Sequence, residues 1–195
     1  MSVKNVLYLH GFNSHAASFK ARLTAEACAR LPSAPRFIAP NLTIEPDQAI
    51  ATIEGLLDDC EGETALIGSS MGGFYATCIA EKHGLKHLAL VNPAVMPAEF
   101  ARPLAGQVHY NPEIDSRVVI EHHHVDQLEV LQTASVSRPE HYLVMLSGQD
   151  EVLDHRRALA HYRGASVLVD PSGKHAFARY ADYLPRVLAH LGLIG

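Results

Sequence analysis

Apolar runs and helical patterns alternate along most of the chain. Six short runs are almost wholly apolar: Asn5–His10 "NVLYLH", Arg36–Ala39 "RFIA", Thr64–Ile67 "TALI", His87–Val91 "HLALV", His141–Leu146 "HYLVML" and Ala165–Val169 "ASVLV". They lack the apolar–polar alternation of a strand with one wet face, so they suit parallel strands covered on both sides. Helical periodicity fills the gaps. Ser14–Leu31 places Phe19, Leu23, Ala27 and Leu31 on one face, and Glu45–Leu57 repeats Ile50, Ile53, Leu56 and Leu57 behind an early Pro46. Gly73–His83 is closed by Gly84, and Asp154–Tyr162 and Tyr180–Leu191 complete the set. This alternation predicts an α/β fold: a mostly parallel sheet of about six strands, with right-handed crossovers and helices on both faces.

Residues 92–140 break the rhythm. Prolines punctuate the segment at 93, 97, 103, 112 and 139, and "RVVIEHHHVDQLEVL" reads as a short extended run followed by a helix, with Asp126 as N-cap and Glu129 as its capping-box partner. A connection this long between two strands carries function as a lid or pocket wall. Val95, Met96, Phe100 and Leu104 within it either line an acyl pocket or pack the insertion onto the core. With 195 residues there is room for one domain, 1–195, with a short cap-like insertion at 92–140.

Charge and composition narrow the field. The net charge of −5 speaks against a nucleic-acid partner. No apolar run approaches membrane-spanning length, and the N-terminus reads as a first strand, not a signal peptide. Cys28, Cys60 and Cys78 are odd in number and widely spaced, which suits free thiols and the cytoplasm.

In parallel sheets, sites form at the carboxyl ends of strands. There stands Gly68-Ser69-Ser70-Met71-Gly72, a G-x-S-x-G pattern centred on Ser70; Ser69 would need glycines where Ile67 and Met71 stand. The strand "TALI" enters it and a helical pattern leaves it, as a nucleophile elbow requires. The plainer reading is a tight turn without chemistry. A serine hydroxyl needs a base, and His175 in "PSGKHAF" follows the last strand. Asp150 follows the preceding strand and would orient the imidazole. Asp154 is the reserve acid but reads better as an N-cap. Oxyanion donors would be the backbone N–H of Met71 and of Phe12, in the turn after the first strand. His10 fits a buried structural histidine bonded to backbone.

"YLHGFNS", "IGSSMGGFYAT", "LVNPA", "GQDEVLD" and "GKHAF" occur in order and together resemble the YqiA/YcfP-type small bacterial esterase family, from Val3 to about Leu191. The resemblance implies an α/β-hydrolase fold reduced to its parallel core. It also implies activity on acyl esters or thioesters as small-molecule substrates, with no cofactor, and Ser70, Asp150 and His175 as the catalytic residues. The segment around "EHHHVDQLEV" is least family-like.

Three rivals remain. "GSSMGG" matches neither G-x-x-x-x-G-K-[ST] nor G-x-G-x-x-G, and no lysine stands near it before Lys82, which disfavours a phosphate loop. A metal hydrolase could use His122 and His124, same-sided if extended, with Asp126. A non-catalytic ligand-binding module on the same fold would leave Ser70 inert.

Overall fold

A computed structural model describes residues 2–195; Met1 lies outside the described residues. Six parallel strands form the central sheet: β1 (Val3–Leu9), β2 (Arg36–Ile38), β3 (Glu63–Ser69), β4 (Leu88–Val91), β7 (Tyr142–Ser147) and β8 (Ser166–Asp170), in the order β2-β1-β3-β4-β7-β8. Each overlaps a predicted run, shifted at its ends by one or two residues. The chain goes outward from β1 to β2, then crosses back to pair β3 on the other side of β1. The loops after β1 and β3 therefore diverge at a topological switch point, where a crevice opens.

The apolar runs lack polar alternation because both faces are covered. Leu7, Leu9, Leu66, Leu88, Leu90, Val144 and Leu146 pack under α2 (Pro46–Asp58), α3 (Met71–His83) and α6 (His155–His161). Their neighbours Val6, Tyr8, Ala65, Ile67, Ala89, Val91, Leu143 and Met145 pack under α1 (Phe19–Arg30) and α7 (Tyr180–His190). Side chains alternate sides along each strand, and each side has its own apolar core.

Helix α1 starts later than its periodicity predicts. Residues 11–18 are turns, and the Ala16 N–H is taken by the Asn41 side chain. Its buried positions are Ala21, Thr24 and Cys28, whereas Phe19 is half exposed. Thr24 can be buried because its hydroxyl bonds the Lys20 carbonyl and the Tyr180 hydroxyl, so no polar atom is stranded.

The insertion holds more structure than predicted. Beyond β4 come α4 (Pro97–Ala101), an antiparallel hairpin of β5 (Val108–Asn111) and β6 (Ser116–Val119), and α5 (His122–Leu131). The expected cap of α5 is wrong. The helix begins four residues before Asp126, with Glu121 as N-cap, and the side chain at N3 that accepts the Glu121 N–H is His124 (Nδ1, 2.9 Å). An imidazole does here what Glu or Gln usually does. The pattern at Asp126 and Glu129 is therefore interior to the helix.

Candidate active site

Three glycines let α3 approach β3, the end of β1 and Pro93 closely enough to make a sharp elbow. A Cβ at Gly72 would stand 2.0 Å from the Leu9 carbonyl oxygen, and one at Gly68 2.4 Å from the Gly72 oxygen. At Gly73 a Cβ would meet Pro93 at 2.7 Å. Ser70, between them, carries φ 54° and ψ −118°, a conformation that costs a side-chain-bearing residue free energy and persists only where packing enforces it. The backbone around it is pinned. The Ser70 N–H donates to the Val91 carbonyl (2.9 Å), and the Ser70 carbonyl accepts from Gly73 (2.9 Å) and Ala94 (3.0 Å).

The Ser70 hydroxyl lies 3.0 Å from His175 Nε2. On the far side of the ring, Nδ1 lies 2.9 and 3.0 Å from the two Asp150 carboxylate oxygens. The Asp150 side chain is 2% exposed, and one oxygen also accepts the Val152 and Leu153 N–H groups at 2.8 and 2.9 Å. Burial pushes its carboxyl upward, but the hydrogen bonds from His175, Leu153 and Val152 outweigh that and hold it below the ordinary carboxylate range. The loop carrying His175 is anchored by Phe177, fully buried against Tyr183, and its His175 N–H donates to Glu151 (3.1 Å). Asp154 is the N-cap of α6, accepting from the Arg156 N–H, and does not touch His175.

Ser70, His175, Phe12 and Met71 line one cavity of about 830 Å³. Met71 opens α3, where a helix leaves its N–H without an internal acceptor. Phe12 sits inside the turn closed by Ser14 N–H to the Gly11 carbonyl (3.3 Å). The hairpin of the insertion braces this turn: Asn111 donates to the Asn13 carbonyl (2.6 Å), and Phe12 packs edge-on against His109. Sequence reasoning missed this support, because nothing in "VHYN" signals its partner 98 residues away.

The insertion supplies most of the apolar wall. Val95, Phe100 and Leu104 line the cavity with Ile120 and Leu128, whereas Met96 lies outside it and is 41% exposed. His10 is buried; its Nδ1–H donates to the Gly11 carbonyl (2.8 Å) and its Nε2 accepts the Leu42 N–H (2.9 Å). Burial pulls its pKa down, so it stays neutral.

The expected His122–His124–Asp126 grouping does not form. These residues lie in a helix, where positions two apart point about 200° from each other. The group that does gather is His123, His124 and Glu45, ahead of α2. Because His124 Nδ1 accepts a backbone N–H, its proton is on Nε2, which donates to Glu45 at 2.8 Å. Neither ring nitrogen is then free to ligate a metal unless the α5 cap is broken. The contact joins the insertion to the start of α2.

The fold and the strand-end crevice define an α/β-hydrolase architecture. A protein from Agrobacterium vitis S4 superposes with a TM-score of 0.73 at 13% identity, covering 98% of this chain and 91% of that one. Alpha/beta hydrolase domain-containing protein 10 from mouse gives 0.72 at 15% identity, covering 96% and 90%. Est1E from Butyrivibrio proteoclasticus gives 0.68 at 16%, covering 95% and 86%. Residues 5–192 match the model of UPF0227, described as an uncharacterised protein family, and the chain belongs to that family. It is the YqiA/YcfP family that the motifs resemble.

Proposed function

We propose that the chain is a serine hydrolase that cleaves carboxylic esters, acyl thioesters included, through an acyl-enzyme. The observation that carries this reading is the unbroken hydrogen-bond chain from Ser70 through His175 to a buried, ionised Asp150, opening on a largely apolar cavity. Solved structural neighbours agree in kind: lipolytic enzymes, a pyrethroid hydrolase, and Est1E with ferulic acid bound.

His175 Nε2 takes the Ser70 proton as the oxygen attacks the acyl carbonyl. The Met71 and Phe12 N–H groups stabilise the oxyanion. Collapse expels the alcohol or thiol, which leaves with the proton from His175. Water then attacks the acyl-enzyme with His175 as base, and the free acid departs with Ser70 restored. The insertion at 92–140 acts as the cap of a single domain and shapes the acyl site. Among the described residues no helix is long and apolar enough to cross a membrane. The three thiols are free, which supports a cytoplasmic protein, and burial pushes Cys28 up to about 11 and Cys78 up to about 12, which makes those two unreactive.

A fluorophosphonate probe tests the reading. Wild type labels stoichiometrically and Ser70→Ala does not. Ser70→Ala and His175→Ala each reduce kcat by several orders of magnitude, about 10⁴ or more, and the double variant is little worse. Folded wild type that takes no label would instead favour a binding module, and ester turnover retained by Ser70→Ala would end the proposal.

A further inference from the structure

The segment just after β4 touches all three loops of the candidate triad. Val91 and Ala94 bond the Ser70 backbone, as described above. Between them stands Asn92, 3% exposed, at φ 41°, a left-handed conformation that asparagine tolerates better than most residues. Its side chain is fully engaged. Oδ1 accepts the Ser147 N–H at 2.7 Å. Nδ2 donates to the His175 carbonyl and to Ser147 Oγ, each at 3.0 Å, with the Lys174 carbonyl at 3.4 Å. The Ser147 hydroxyl in turn donates to the Lys174 carbonyl at 2.8 Å. The Ser147 N–H can only donate, so the oxygen of the carboxamide must face it, which fixes the amide's orientation. Ser147 ends β7, three residues before Asp150, and is fully buried.

We propose that Asn92 is a positioning residue that sets the His175 and Asp150 loops in register with Ser70. The inference rests on the serine-hydrolase reading. One carboxamide ties the acid loop to the base loop, and its own backbone continues into the segment that pins the elbow. A fully satisfied buried network of this kind specifies one geometry, because every alternative leaves a polar group unpaired. Without it, the His175 carbonyl loses its bond to the segment that pins the elbow. A catalytic group displaced by about 1 Å costs up to about 10²-fold in rate.

The test compares Asn92→Gly with wild type. Glycine keeps the left-handed backbone and removes only the carboxamide. The expected result is a 10- to 100-fold loss of kcat at a KM within about twofold of wild type. The pH limb assigned to His175 should also move, and fluorophosphonate labelling should slow in proportion. A second readout needs no turnover: the low-field proton resonance of His175 Nδ1–H on Asp150, identified by its loss in His175→Ala, should shift upfield or broaden in Asn92→Gly. Thr77→Val, which removes two other buried hydrogen bonds (2.8 Å to the Tyr162 hydroxyl and 2.9 Å to the Gly73 carbonyl) and touches neither His175 nor Asp150, controls for general destabilisation and should leave resonance and pH limb in place. If Asn92→Gly does not fold, Ser147→Ala should show a smaller change, about 2- to 10-fold, in the same direction. Folded Asn92→Gly with wild-type resonance and kcat overturns the proposal, as does an unaffected Ser147→Ala. A wild type without the low-field signal at any pH overturns it too, there being no ordered dyad to hold. A wild type with the signal but neither turnover nor labelling overturns the esterase reading instead, and the resonance alone then decides the role of Asn92.

Discussion

Asp150 shows how one residue's surroundings assign its chemistry. Three carboxylates lie within five positions, Asp150, Glu151 and Asp154, and their side chains differ little. Only Asp150 is buried and faces the imidazole; Asp154 caps a helix and Glu151 accepts a backbone N–H from the rim. Its depressed pKa has a sign that can be checked. As pH falls, the unfolded chain takes up the proton first, so the stabilisation is complete above about pH 4 and drains away as pH drops through the lower folded-state value. Asp150→Asn should therefore flatten the acid side of a Tm-versus-pH curve. It should also lower kcat by about 10⁴-fold, because the amide presents the wrong partner to His175 Nδ1–H. Thermal melts across pH 3–7 and steady-state kinetics at about pH 8 read the two effects separately.

At the scale of elements, close approach and helix caps decide where chain segments meet. Gly72 lets α3 lie against the end of β1, and no side chain fits there. Gly72→Ala should cost about 3 kcal/mol or more, since backbone must move to admit the methyl group. Gly55, inside α2, has nothing within 4 Å of its would-be Cβ, so Gly55→Ala should stabilise by about 0.5–1 kcal/mol through helix propensity alone. Urea unfolding midpoints at constant slope test both. These elements were mostly legible in the sequence because the central strands β1, β3, β4 and β7 are buried on both sides, which leaves nearly unbroken apolar runs. What was not legible has a common cause. Of the hairpin, the second strand, Ser116–Val119, falls on the short extended run read before α5, but its partner Val108–Asn111 is short and partly exposed and carries no clear period. Helix α5 is capped by His124, a residue type outside the usual capping vocabulary, so its N-cap was read at Asp126 and not at Glu121.

For the molecule as a whole, the insertion turns a generic sheet into a particular pocket. It braces the Phe12 turn, joins α2 through Glu45 and His124, and walls the cavity with apolar side chains. Ala101, at the end of α4, is buried and faces the cavity. Ala101→Trp should fill that arm and reduce kcat/KM for long-chain p-nitrophenyl esters at least tenfold while sparing acetate and butyrate. A chain-length series that falls uniformly would place the acyl group elsewhere.

By itself the sequence determined the parallel sheet, the elbow at Ser70 rather than Ser69, and the order of candidate nucleophile, acid and base along the chain. These follow from local rules: burial on two faces, a serine spaced between glycines, and loops placed after particular strands. Only the tertiary structure decided which carboxylate meets His175, which histidine caps α5, and that Asn92 reaches two loops at once. The α5 cap spans only three residues, but the His175 and Asn92 contacts join residues from 25 to 83 positions apart, and a distance along the chain contains no direction in space until the sheet has fixed one.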